Sequence, residues 1–221
     1  DKNLFSSDKY GYADLQSNLI FHNFETNKFT KFFINDIDWK YKQINYSSGL
    51  NGHLLGKIKN VNYEAKNTSV YKTDTTHEVF GAIGYLSEIN LFKKIKDNSK
   101  RFLTPKMLLR YAPGHMREET STTRLNHSNV FTLDRLNTNK NFESGLSATL
   151  GFDYELQESN KKLDFSIAQI INEKENKDMP SSSSLDQRFS DVVGYSQLEM
   201  NDNIKLSYNF AVDQNYEQLN Y

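Results

Sequence analysis

A chain of 221 residues, only 37% hydrophobic and with a mean hydropathy of -0.73, is more polar than an ordinary soluble domain with a thick interior, in which about half of the residues are apolar. Lys+Arg 27 against Asp+Glu 28 leaves a net charge of -1, which removes the basic field that nucleic-acid binding needs, and the lack of cysteine excludes a disulfide scaffold, thiolate catalysis and cysteine-ligated metal. Aromatic content nevertheless reaches 13%, and a polar chain rich in Tyr and Phe fits a membrane β-barrel, with a thin greasy outer band and wet interior, or a polar β-sandwich.

No apolar run approaches the roughly 18 residues of a helical span, and the start at Asp1 has no basic-then-apolar signal region. Membrane insertion would therefore be by strands, with any export signal removed or lying outside this piece. One-by-one alternation of apolar and polar residues predicts strands at 17–24, 31–42, 51–63, 79–92, 103–112, 142–157, 162–172, 190–200 and 204–213. Gly81 and Gly84 lack the Gly-Lys-Ser/Thr ending of a phosphate loop and read as a strand that bends or packs closely. Pro105 cannot donate to a ladder, so its strand starts there or bulges. The pattern is clearest late in the chain: Leu146, Ala148, Leu150, Phe152 and Tyr154 share one face, as do Ile204, Leu206, Tyr208, Phe210 and Val212.

Most of these strands match the roughly 9–11 residues that cross a bilayer at a tilt. Their connections alternate as in outer-membrane barrels: 113–141 is long, 158–161 tight, 173–189 long and 201–203 tight. Before Val79 the rhythm is incomplete, since 66–76 is longish and 93–100 intermediate, but 25–27 is short where a long loop is expected.

Groups that carry chemistry are sparse. His22, His53, His77, His115 and His127 show no i, i+4 pair, so no metal site is expected. His115 and His127 share one long loop with Arg117 and Arg124, either as a weak anion site or as a solvated loop. Asp153 and Glu155, with Asp164 across the tight turn, fall on the polar face and read as lining a watery lumen more readily than as a general acid and base. No serine sits in a nucleophile-elbow setting, although Ser166 and His127 are available to a site assembled in three dimensions; no catalytic residue is expected. The polar run 174–178, followed by 181–184, reads as a solvated flexible loop or a surface contact with headgroup sugars or a partner. Lys106 and Arg110 share the polar face of one strand, where they either meet a phosphorylated glycolipid or pair with facing carboxylates.

Three segments carry a family likeness: 102–114 (FLTPKMLLRYAPG), 129–136 (NVFTLDRL) and 143–155 (ESGLSATLGFDYE), followed by Ile167-Ala168-Gln169, Met179-Pro180 and Ser190-Asp191-Val192-Val193-Gly194 in the same order. Together they resemble the C-terminal barrel of the LPS-assembly outer-membrane protein family LptD (OstA/Imp), most strongly over 79–221. The resemblance implies an all-β, antiparallel, up-and-down transmembrane β-barrel segment of about nine to ten strands belonging to a larger barrel. Residues 1–221 would be part of one outer-membrane domain, without the family's N-terminal periplasmic domain, its cysteines or the last barrel strands and their transport seam. It implies lipopolysaccharide as the ligand, a plug lipoprotein (LptE-like) and periplasmic bridge proteins as partners, contact with membrane lipid and none with nucleic acid, and location in the cell outer membrane. It implies no enzyme activity and no cofactor; the ligand-binding candidates are the lumen-facing Lys106 and Arg110.

Three rivals share the alternation: another outer-membrane barrel such as a porin or adhesin, a barrel phospholipase with Ser and His within hydrogen-bond reach, and a soluble β-sandwich. Where Leu146, Leu150, Phe152, Ile204, Leu206 and Phe210 point separates a sandwich core from a lipid-facing band. An open sheet in lipid also leaves unpaired edge groups, each costing several kcal/mol, so a nine-stranded piece must close on itself or pair with further strands.

Overall fold

The computed structural model describes residues 1–24, 27–69, 71–95, 99–120, 122–201 and 204–213. Twelve strands make a single antiparallel sheet: β1 (Lys2–Ser7), β2 (Gly11–Phe24), β3 (Lys28–Lys40), β4 (Ile44–Asn45), β5 (Leu50–Lys66), β6 (Thr76–Ile89), β7 (Leu91–Lys94), β8 (Lys100–Ala112), β9 (Gly145–Glu158), β10 (Lys161–Asn172), β11 (Val192–Met200) and β12 (Ile204–Val212). Ten follow one another in the order β1-β2-β3-β5-β6-β8-β9-β10-β11-β12; the short β4 and β7 pair with β5 and β8. Every predicted strand is present. β1 and β4 are additional, and the single strand expected over 79–92 is divided into β6 and β7. Among the described residues no ladder joins β1 to β12, so the sheet is open.

Register carries the alternation across the whole sheet. Pairings such as Tyr111↔Leu146, Leu150↔Gln169, Phe152↔Ile167 and Leu198↔Leu206 keep one face continuous from strand to strand. Leu150 is 47% exposed and Leu206 59%, and Leu146, Phe152 and Ile204 are exposed beside them, forming an apolar outer face. Phe210 is half-buried because its ring lies over Gly194, its cross-strand partner, where a Cβ would meet the ring at 2.1 Å. These side chains do not meet inside a sandwich; they make a band on one side of a single sheet.

The opposite, inner face is divided along its length. At the end carrying the connections 67–75, 113–144 and 173–191, inner residues are buried: Phe32, Ile34, Val61, Tyr63, Leu108, Ser147, Thr149, Ile170, Val193 and Ala211. The cover is 113–144 itself, which folds back so that Leu133 and Phe142 pack with Phe32, Val61 and Phe80, while Met116, Leu125, Val130 and Leu136 pack with Ile170, Met179, Leu185 and Val193. At the other end, with 8–10, 41–49, 90–99 and 159–160, the inner face stays partly exposed and polar.

Local sequence explains the departures from the expected boundaries. The ninth strand begins at Gly145, whose φ of 114° ends the loop, so Phe142 lies outside the ladder and is buried where the loop packs on the sheet. Pro105 lies inside β8, opposite Phe152 of β9, at the place where the strand's other partner changes from β6 (pairing 106–111) to β7 (pairing 100–103). A residue without an N–H falls where no partner is assigned on that side. The stretch 174–178 is solvated as expected apart from half-buried Asn176, but Ser183 and Ser184 are buried: the Ser183 hydroxyl donates to Pro180 O at 2.6 Å and that of Ser184 accepts from Asp191 N at 2.9 Å.

Close approach also fixes the β9–β10 pairing. A Cβ at Gly151 would lie 2.4 Å from Ile167 O and 2.7 Å from Ala168 Cβ. Gly151→Ala is therefore expected to destabilise the folded protein by about 1–3 kcal/mol, read as a lower midpoint in a guanidinium titration with unchanged slope.

Candidate functional site

The inner face of β8 and β9 presents Arg110, Ser147 and Thr149 to the returning loop, and the loop answers with backbone carbonyls and charged side chains. Arg110 is 1% exposed; its Nε donates to Leu133 O at 2.8 Å and its Nη2 to Glu143 O at 2.5 Å. Arg135, within the loop, donates from Nε to Glu143 Oε2 at 2.7 Å and from Nη2 to Glu143 Oε1, while Nη2 also reaches Ser147 Oγ at 3.0 Å. Glu143 is thus gripped bidentately by one guanidinium, and Arg110 Nη1 stands 3.7 Å from Oε1. Burial alone would raise the Glu143 pKa; Arg110 and Arg135 more than offset it and hold the carboxyl below its ordinary value of 4.5.

Two further ties fix the loop to the opposite half of the sheet. Lys59 of β5, fully buried, donates to Asp134 Oδ2 at 2.7 Å and to Thr138 O, with Asp36 of β3 3.8 Å away. Arg117 pairs with Glu78 of β6 and lies over the rings of Tyr63, Tyr71 and Phe80 at 5.6–5.8 Å. Gly84 makes room for the loop: a Cβ there would sit 2.6 Å from Leu133 and 3.1 Å from Leu108. The close packing expected of this glycine is thereby accounted for.

Beneath the loop tip lies a cavity of about 460 Å³ whose lining includes His127, Val130 and Phe131 from the loop and Lys106, Asp153, Glu155, Asp164, Ser166 and Tyr195 from the sheet. The two basic residues expected to act together are separated here. Lys106, with its side chain 24% exposed, pairs with Asp153 on the cavity wall, whereas Arg110 is enclosed under the loop. The three carboxylates expected on the wet face do converge, with Lys162 Nζ 3.4 Å from Glu155 Oε1 and 3.1 Å from Asp164 Oδ2. Ser166 and His127 line the same cavity, but His127 stacks on Tyr195, ring centroids 4.5 Å apart and 16° from parallel, and no hydrogen bond to Ser166 is found among the described residues. His115 instead faces the ring of Phe80 at 6.3 Å, so the two loop histidines serve different parts of the wall. Among the described residues no group of three or more His, Asp or Glu side chains could hold a metal.

A family model described as LptD, LPS transport system D, matches residues 39–221. The chain belongs to this family. The match begins at the end of β3 and takes in β4–β12, so it reaches 40 residues further toward the N-terminus than 79–221, where the quoted segments carry the likeness. A search of curated proteins gives no match. Membership in the LptD family implies a role in lipopolysaccharide transport and assembly at the outer membrane.

In this LptD-family chain the loop anchor is the part the sequence reading missed. Glu143, Arg135, Asp134 and Lys59 form it, and the available signal was charge embedded in apolar neighbours, as in Leu133-Asp134-Arg135-Leu136. Glu143→Gln leaves two buried guanidiniums without a counter-charge, an expected cost of about 3–5 kcal/mol. Limited proteolysis should then cut within 113–144 while the sheet remains folded.

The pH dependence follows from the lowered Glu143 pKa. Its contribution to loop docking is full above the unfolded value of 4.5 and is lost only as pH falls through the lower folded value. Protease resistance of the loop should persist at the ordinary carboxylate pKa and disappear on stronger acidification. Release already on lowering the pH from neutral to mildly acidic would contradict this assignment.

Proposed function

We propose that this chain forms part of the wall of an outer-membrane barrel that delivers lipopolysaccharide to the outer leaflet, providing a path and performing no chemistry on its cargo. The observation that carries the reading is the two-sidedness of one sheet in an LptD-family chain: a predominantly apolar outer face and an inner face that is charged, hydrogen-bonded and partly covered by its own loop. Such a sheet separates lipid from an aqueous interior. On this reading 1–221 belongs to a single barrel domain, and the open edges of β1 and β12 are paired by further strands, because unsatisfied backbone groups in hydrocarbon cost several kcal/mol each. A plug lipoprotein of the LptE kind would occupy the interior, and periplasmic bridge proteins would supply the cargo. Lys106 would contact that cargo, while Arg110 would act through the position of the loop.

Depletion of the full-length protein should stop newly made lipopolysaccharide from reaching the cell surface, followed by surface labelling of pulse-labelled glycolipid. Undiminished delivery would refute the transport role. For the lipid-facing side, Leu150→Arg in the middle of β9 is expected to cost about 2–4 kcal/mol in a lipid-vesicle unfolding titration, whereas Gln157→Arg on the other face should change stability by less than about 1 kcal/mol. Equal costs at the two positions would remove the membrane assignment of the faces.

A further inference from the structure

We infer that the cavity beneath the loop tip binds a neutral sugar ring, the saccharide part of the cargo; the inference rests on the transport reading above. Its volume of about 460 Å³ falls within the roughly 300–1,000 Å³ of small-molecule sites. More informative is the mixed chemistry of its lining. Part is apolar and aromatic: Val130, Phe131 and Val193 line it together with the stacked His127–Tyr195 pair. The rest carries hydrogen-bonding groups: Lys106, Asp153, Glu155, Asp164 and Ser166.

A pyranose has the matching chemistry, with a C–H face that packs on rings and methyl groups and a girdle of hydroxyls that donate to carboxylates and accept from an ammonium. The carboxylates are held in place beforehand. Asp153 is tied to Lys106, and Lys162 bridges Glu155 and Asp164 between two adjacent strands. Rigid acceptors reduce the ordering cost of binding.

Charge decides which part of a phosphorylated glycolipid fits. Among the described residues the cations paired with Asp153, Glu155 and Asp164 are Lys106 and Lys162, two ammoniums against three carboxylates, so a phosphate would meet an excess of negative charge. An acyl chain would strip water from the same ion pairs and replace it with nothing. Arg110 is a positioning residue in this scheme: by holding Leu133 O and Glu143 O it fixes the loop that carries His127 and Phe131 over the cavity.

The test uses the full-length protein in detergent micelles, titrated calorimetrically with lipid-free, dephosphorylated core oligosaccharide released from lipopolysaccharide. Saturable binding is expected. It should weaken at least tenfold in Tyr195→Ala and in the Asp153→Asn, Asp164→Asn double variant, with inorganic phosphate failing to compete. Absence of saturable binding to the wild-type protein overturns the proposal, as does undiminished affinity in both variants or competition by phosphate; the wild-type titration decides the matter even where a variant does not fold. Intact lipopolysaccharide binding without oligosaccharide binding would sink the sugar site and leave the transport role standing. Undiminished surface delivery on depletion would sink the transport role itself.

Discussion

One carboxylate enclosed by two guanidiniums holds a 32-residue connection against the inside of the sheet, and the character of the inner face at either end follows from that contact. Arg110 stands on β8, Glu143 two residues before β9 and Arg135 in the loop between them, so both feet of the connection and its middle are gathered at one point. Burying three charges together is tolerable because each finds a partner. Loss of Glu143 would strand both guanidiniums in a medium that solvates charge poorly.

With the loop in place, the inner face serves two purposes along one set of strands. Toward the long connections it is a packed interior, with Phe32, Val61 and Leu133 on one flank and Val130, Ile170 and Val193 on the other. Toward the tight turns it is a wall of paired charges and amides, in which Gln197 Nε2 donates to Glu199 Oε1 at 2.8 Å and Lys205 pairs with that same carboxylate at 3.3 Å. The loop tip marks the boundary, and the cavity lies where the two chemistries meet. A ligand at that level touches greasy and ionic groups at once, a combination that neither half of the strand provides alone.

The strands were legible in the sequence because a single sheet with an apolar outer face and a polar inner one demands strict alternation, and 204–212 and 146–154 display it without interruption. The carboxylates Asp153, Glu155 and Asp164 could be placed on the wet face by the same period of two. The loop's destination could not. A connection of polar composition reads as solvated, and the pairing of Asp134 with Lys59, 75 residues away, leaves no local trace. Arg110 illustrates the limit: alternation correctly assigned it to the inner face, but whether that face was open or covered depended on residues 23 and 33 positions further on. β1 and β4 escaped notice for another reason. One is an edge strand of six mostly exposed residues and the other spans two, so neither repeats the period often enough to stand out.

The separations within the loop anchor also bear on the order of assembly. Arg135 meets Glu143 across 8 residues and Ser147 across 12, and Arg110 meets Leu133 and Glu143 across 23 and 33, so the β8–loop–β9 hairpin can gather its anchor from nearby chain. The tie from Lys59 to Asp134 spans 75 residues and waits for β5 to arrive. Local contacts close faster than distant ones. On the barrel reading proposed above, a segment destined for the inside of the wall is most easily put there while the wall is still open, and this hairpin carries its filling with it. The last strands to join would then close around an occupied interior, and no long loop would have to be threaded through a finished rim.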